Sequence, residues 1–161
     1  MDITVHNVDT LRAALGSNIV EVTALTASNG LSKVGLEDTS NCLFRFESGV
    51  LANTVESFLV PYSQTTFEIH GSKGSILATG VMTQDPIGEI TLTNASGSHS
   101  IAISDRENLY VKTVRQFEKA CNGGGTPYST GEDGFASLQG ALAVLQSAQE
   151  KRTISISKVV K

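Results

Sequence analysis

A run of segments in which apolar and polar residues alternate, between residues 18 and 104, constrains the fold of this chain most strongly. Alternation with a period of two, rich in β-branched residues, is typical of β-strands. Short stretches containing glycine or serine separate the segments, so consecutive strands are predicted to pair as antiparallel hairpins. The segments are NIVEVTALT (18–26), TSNCLFRFESG (39–49), VLANTVESFLV (50–60), TTFEIHG (65–71), GSILATG (74–80), GEITLTN (88–94) and SHSIAIS (98–104).

Helical periodicity flanks this run on both sides. Before it, Val8, Leu11 and Leu15 recur at helical spacing, and Gly16 is placed to end the helix. After it come two further helices and a short strand, TISIS (153–157). The apolar stripes of these two helices are Tyr110, Val114, Phe117 and Cys121 in one, and Phe135, Leu138, Leu142 and Leu145 in the other. This order predicts an α+β fold: a large, predominantly antiparallel (mixed) open sheet with helices packed on one face, forming a single domain over residues 1–161.

Three helices on one face would leave the other face of the sheet uncovered. Leu51, Val55 and Phe67 make that face partly apolar, although many threonines accompany them. A partly apolar, uncovered sheet face usually finds a partner. We therefore expect a homodimer or higher oligomer through this face, centred on the strands around residues 39–60 and 65–79. The alternative is an ordinary solvated face.

Composition excludes several classes of function. The 161 residues carry a net charge of −4 without a cluster of Lys and Arg, so nucleic acid is not an expected partner. No apolar run approaches the roughly 20 residues of a membrane span, so no membrane is expected either. Cys42 and Cys121 are far apart within apolar patterns, which favours buried thiols in a reducing cytoplasm over a disulfide.

Asp2 and His6 are the strongest candidates for chemistry. They are four residues apart on the first predicted helix and therefore project from the same face. A carboxylate beside an imidazole orients the ring and raises its basicity, which a general base acting on a hydroxyl needs. The spacing is also common by chance, and aspartate is a favourable residue at a helix N-terminus, so simple capping is the alternative.

The sequence contains no dinucleotide-binding turn. Gly-x-Gly-x-x-Gly is absent, and the nearest glycine runs, GSKG (71–74) and GGG (123–125), fall in a predicted hairpin and after a predicted helix. We therefore expect this chain to bind neither NAD nor NADP by itself. His70 and His99 lie next to turns and are expected to be exposed, and no residues have the spacing of a metal site.

The order of elements and four local motifs resemble the C-terminal domain of the glucose–fructose oxidoreductase/inositol dehydrogenase (Gfo/Idh/MocA) family. DITVHNVDTLRAALG (2–16) is similar to the family's opening, Asp-x-x-x-His-x-x-Asp-x-Leu-Arg followed by glycine. FEIHGSKGSI (67–76) is similar to its Ile-x-Gly-x-x-Gly turn. The segments 37–61 and 110–156 resemble its paired strands and its closing two helices and strand.

This resemblance implies an NAD(P)-dependent dehydrogenase that moves a hydride from a hydroxyl of a sugar, cyclitol or related polyol to nicotinamide. In the family an N-terminal Rossmann domain holds NAD or NADP, and that domain is absent from this chain. The chain is expected to begin where that domain ends and to be inactive alone. His6 would correspond to the family's acid/base, and Asp2 to its substrate-binding and orienting partner.

Two alternatives stay open at this stage. Tyr62, in the loop VPYSQ (60–64), is a candidate substrate-binding residue, or it is a tyrosine packed in a turn. The whole chain is either the substrate side of an oxidoreductase or a non-catalytic module that dimerises through its sheet. An upstream reading frame with a Rossmann unit would distinguish them.

Overall fold

The computed structural model describes residues 2–157, and within them the chain forms three helices and eight strands. Each predicted helix and strand is present, with ends shifted by a few residues. The helices are α1 (Asp2–Leu15), α2 (Leu109–Cys121) and α3 (Gly131–Glu150). The strands are β1 (Ile19–Ala27), β2 (Thr39–Phe46), β3 (Leu51–Ser57), β4 (Thr66–Gly71), β5 (Gly74–Thr79), β6 (Glu89–Asn94), β7 (Gly97–Ile101) and β8 (Ile154–Ser155).

The α+β class is confirmed, but the described strands form two four-stranded sheets rather than one large sheet. The first sheet has the order β3-β2-β1-β8 and the second β4-β5-β6-β7. Every described pairing is antiparallel. β3 and β4 follow one another in sequence without pairing, and the segment between them, residues 58–65, contains Pro61.

The first sheet belongs to a compact unit formed by the described residues up to Pro61 and from Ser129 onward. α1 and α3 pack against each other, α3 contacts β1 and β8, and α1 contacts β3. The side chains of β2 alternate between buried and exposed along the strand, and those facing the helices include Cys42, Phe44 and Phe46. The core of this unit therefore lies between the sheet and the two helices.

Small residues, rather than the predicted stripe of α3, face this core. The buried positions of α3 are Ser137, Gly140, Ala141, Ala143, Val144 and Ser147. A Cβ on Gly140 would come within 2.8 Å of Val8 Cγ1, so glycine is what lets α1 approach this closely. Phe135, Leu138 and Leu142 of the predicted stripe are exposed.

The second sheet and α2 belong to the other compact unit, residues Tyr62–Tyr128. β4 to β7 form a meander of consecutive hairpins. Asn108 caps α2 by accepting from the backbone amides of Tyr110 and Val111. No residue of α2 is buried, so the expectation that both cysteines are buried is wrong for Cys121, which is an exposed free thiol, while Cys42 is buried.

None of the helices in the described part of the chain combines the length and apolarity needed to cross a membrane.

Candidate functional site

The N-terminal half of α1 is attached to the first sheet through one carboxylate. Thr4 Oγ1 donates to Glu56 Oε2 at 2.7 Å, and Asn7 Nδ2 donates to Glu56 Oε1 at 2.8 Å. Ser40 Oγ of β2 also donates to Glu56 Oε2, at 3.1 Å. Glu56 is only 8% exposed, so this carboxylate is buried and yet bonded at both oxygens.

The C-terminal half of α1 is attached to α3 instead. Ser137 Oγ donates to Asp9 Oδ1 at 2.8 Å, and Arg12 reaches the carboxylate of Asp133 at 3.5 Å. Asp133 also forms a capping box with Thr130 at the start of α3. The amide and hydroxyl of Thr130, together with the Arg12 guanidinium, hold the pKa of Asp133 below its usual value.

Asp2 and His6 lie on the face of α1 that these attachments leave free. At about 100° per residue, they fall roughly 160° and 200° around the helix axis from Thr4, which is buried. Both side chains are exposed, and they are one helical turn apart. Asp2 stands in the first turn, where the helix dipole favours a negative charge.

The residues of the motif around this pair differ in their surroundings, since some contact the fold and others are exposed. Asp9, Leu11 and Arg12 serve the fold, since Leu11 is buried and the other two bind α3. Gly16 ends α1 with a left-handed backbone, φ +57°, and its amide bonds to the carbonyl of Arg12. Asp2 and His6 take no part in these contacts, and both are exposed.

Tyr62 is 98% exposed and lies in the second compact unit. The interpretation of this residue as a tyrosine packed in a turn is therefore wrong. Its role in substrate binding stays a prediction.

Glu56, Thr4 and Asn7 are site-supporting residues that sequence reasoning did not find. One signal for them exists in β3, where Ala52, Thr54 and Glu56 alternate with the exposed Leu51, Asn53 and Val55. A carboxylate at an inward strand position needs buried donors, and the hydroxyl of Thr4 and amide of Asn7 supply them.

The second sheet carries a rival arrangement of Ser, His and acid. His70 Nδ1 lies 3.0 Å from Ser75 Oγ, and its Nε2 lies 3.3 Å from Glu68 Oε2. All three are on β4 and β5, and the His70 and Glu68 side chains are largely exposed to solvent, where an ion pair and a hydrogen bond contribute little. His99 is exposed as well, so the expectation for both histidines is confirmed.

Two other features of the described residues offer little for catalysis. A groove of about 310 Å³ between α3 and β8 is lined by apolar side chains such as Phe135, Leu142 and Ile154, with glutamines and serines but no ionisable group. Burial raises the pKa of the Cys42 thiol, which keeps it protonated and unreactive. No group of His, Cys, Asp and Glu within residues 2–157 could hold a metal ion.

Comparison with known proteins supports the resemblance found in the sequence. Residues 1–77 match the family model described as the GFO/IDH/MocA C-terminal domain. The chain is 43% identical over 148 residues to the 1,5-anhydro-D-fructose reductase of Ensifer adhaerens, an alignment that covers 92% of this chain and 44% of the relative. It is 30% identical over 165 residues to an inositol 2-dehydrogenase of Rhizobium meliloti, covering 97% and 49%.

A solved structure shares the fold over nearly the whole chain. The aldose-aldose oxidoreductase from Caulobacter crescentus, crystallised with glycerol, superposes with a TM-score of 0.85 at 18% identity and covers 95% of this chain and 46% of its own. The chain therefore spans about half the length of the curated relatives it matches.

Proposed function

The chain belongs to the GFO/IDH/MocA family, as its C-terminal domain, and from this we propose that it forms the substrate side of the active-site cleft in an NAD(P)-dependent oxidoreductase. The substrate class is a sugar, cyclitol or related polyol. The observation that carries the proposal is the division of the α1 motif, in which Asp2 and His6 stay exposed while their neighbours hold the helix in place. An oxidoreductase function agrees with the names of both relatives.

His6 acts as the acid/base of this proposed reaction. In oxidation a substrate C–H bond gives up its hydride, the C–O bond becomes a carbonyl, and the imidazole takes the proton of the hydroxyl. In reduction the same imidazole returns the proton to the carbonyl oxygen. The same residue, His6, can therefore serve in a dehydrogenase and in a reductase, and the two relatives are named as one of each.

Asp2 binds a substrate hydroxyl and keeps the His6 ring in its working orientation. A carboxylate accepts hydrogen bonds only, which suits the hydroxyl-rich surface of a sugar or cyclitol. Tyr62, whose phenol is fully available to solvent, is proposed as a further contact to substrate. Under the assignments of Asp2 and His6, the exposed face of α1 contacts the substrate.

When bound, a nicotinamide cofactor would accept this hydride in oxidation and return it in reduction, and another part of the longer protein would hold it. The glycine runs of this chain lie in the β4–β5 hairpin and directly after α2, where they do not form a strand-to-helix turn for a pyrophosphate. We therefore propose that the isolated chain is inactive. The free thiols of Cys42 and Cys121 agree with a cytoplasmic location.

The alternative function is a non-catalytic module that associates through its sheet. It is favoured by the outer face of the first sheet, which exposes Leu25, Leu43, Leu51 and Val55. Both functions use that face as an interface between copies of the chain, so the chemistry of His6 is what distinguishes them.

The test is to replace His6 in the longer protein that carries this chain. His6→Ala should lower kcat for polyol oxidation by about 10²- to 10⁴-fold, the usual contribution of a positioned acid/base, and leave cofactor affinity and the thermal midpoint unchanged. His70→Ala is the matched control, because His70 is an exposed histidine on the second sheet. Equal turnover by the His6 and His70 variants, with cofactor bound, would show that the catalytic assignment is wrong.

A further inference from the structure

The side chains of the first two turns of α1 are bonded to the first sheet through the buried carboxylate of Glu56. Of the described residues, Thr4 and Asn7 are the members of these turns whose side chains bond to the rest of the fold, and both bond to Glu56. The attachments to α3 begin at the end of these turns with the contact of Val8 with Gly140, and continue through Asp9 and Arg12. N-terminal turns fray unless something holds them.

We propose that Glu56 is a positioning residue for Asp2 and His6, an assignment that rests on the proposed function of that pair. Thr4 lies between Asp2 and His6 in sequence, and Asn7 follows His6 directly. Fixing both Thr4 and Asn7 on one carboxylate sets the rotation of α1 about its axis. That rotation decides where the imidazole of His6 and the carboxylate of Asp2 point.

The geometry of the carboxylate predicts which residues can replace Glu56. Each oxygen of Glu56 accepts from a donor on α1, and Oε2 accepts from Ser40 as well. A glutamine can keep this arrangement, because its oxygen can accept from Asn7 while its amide donates to the hydroxyls of Thr4 and Ser40. An alanine cannot, and it leaves the donors of α1 without an acceptor.

Amide hydrogen exchange on the isolated chain tests the hold of Glu56 on α1. In Glu56→Ala, the first amides bonded within α1, at residues 6–8, should exchange about tenfold faster or more, while those of residues 13–15 stay protected by the contacts with α3. If Glu56→Ala does not fold, Asn7→Ala replaces it as the test, because Asn7 is only half-buried. It should also speed exchange at residues 6–8 and not at residues 13–15, by a smaller factor. Ser40→Ala is the matched control, because it removes a donor to Glu56 that does not come from α1. It should leave the exchange rates at residues 6–8 unchanged.

Turnover by the longer protein supplies the second readout. Glu56→Ala should lower kcat for the polyol at least tenfold without changing the KM of the cofactor, and Glu56→Gln should restore kcat to within about threefold. Faster exchange along the whole of α1, unchanged exchange at residues 6–8, or a glutamine variant as inactive as alanine would each overturn the assignment. If the unaltered protein oxidises no polyol, the proposed function fails, while the exchange experiment still decides whether Glu56 holds α1.

Discussion

Asp38 organises the loop between β1 and β2 as a single buried carboxylate. It is 3% exposed and accepts from the backbone amide of Asn29 at 2.7 Å, from the Asn29 side chain at 3.0 Å and from Thr39 Oγ1 at 3.3 Å. Burial raises its pKa, but the hydrogen bonds from Asn29, Leu31 and Thr39 outweigh burial and bring the pKa below the usual value of an aspartate. The loop, residues 28–37, is therefore tied to the start of β2.

The lowered pKa of Asp38 predicts how stability depends on pH. Because folding favours the charged form, its stabilisation is complete above the unfolded pKa of about 3.9 and is lost as the pH falls through the lower folded pKa. Asp38→Asn should lower the thermal midpoint at pH 7 and flatten its fall below pH 4, measured by circular dichroism. Asp85→Asn, on an exposed turn of the other unit, is the control and should leave both unchanged. If the thermal midpoints of Asp38→Asn and of the unaltered chain fall in parallel as the pH is lowered, this prediction is wrong.

The sequence predicts that residues at helical spacing share a face. It does not predict contacts between residues that are far apart in the chain and meet only in the folded structure. Asp2 and His6 share a helix and a motif, so their common face follows from helical geometry. Glu56 is far along the chain from its partners Thr4 and Asn7, and the pattern of β3 alone does not say which donors it meets. Their meeting depends on the docking angle of α1, which no local pattern encodes.

At the scale of helices, the packing of α1 on α3 depends on Gly140. Gly140→Ala should destabilise the chain by about 1–3 kcal/mol, because its Cβ would overlap Val8 and push the helices apart. Gly134→Ala is the matched control on the same helix, since nothing lies within 4 Å of the added Cβ. The control should stabilise the chain by about 0.5–1 kcal/mol through helix propensity.

Urea unfolding of the two glycine variants gives both free energies of unfolding. Equal stability of Gly140→Ala and Gly134→Ala would mean that α1 and α3 tolerate a wider separation than their contact indicates. The same measurement on both variants removes any common effect of replacing glycine on the unfolded chain.

The elements themselves were predictable because their periodicities are strong, but which face of α3 is buried was not. The stripe of large residues, including Phe135 and Leu142, was the natural candidate for the core. The helix instead buries glycine, alanine and serine, because close contact with α1 leaves no room for larger side chains. A hydrophobicity pattern favours the helix face with the largest apolar side chains as the buried one. The contact between α1 and α3 instead requires side chains of small volume. The split into two sheets was missed for a related reason, since alternation identifies strands and hairpins without showing where a sheet ends.

At the scale of the whole molecule, we expect self-association through the outer face of the first sheet. Leu43 stands at its centre on β2, and the strand registers place Leu25, Leu51 and Val55 at its diagonal neighbours. These four side chains are between 61% and 74% exposed. Pairing two such faces about a two-fold axis buries the same apolar patch in both copies.

We accordingly expect the isolated chain to sediment as a dimer or larger at micromolar concentration. Leu43→Glu should convert it to a 17.0 kDa monomer, because the new charges would meet across the two-fold axis at the centre of the patch. Val34→Glu, at a more exposed position in the loop before β2, should leave the assembly intact. A monomeric unaltered chain in sedimentation equilibrium would exclude this interface and leave the assignment of His6 untouched.

The opposite placement of anchoring and exposed residues around α1 has a consequence for evolution and for engineering. Among the described residues, the side chains at positions 2 and 6 form no hydrogen bond or ion pair with the rest of the fold, so mutational drift there costs little stability beyond the small contribution of Asp2 at the helix N-terminus. A descendant that loses its chemistry would keep expressing, folding and assembling as before. Under the proposed function, selection on activity alone would preserve the pair, and a library randomised at these two positions would sample new reactions on an unchanged scaffold.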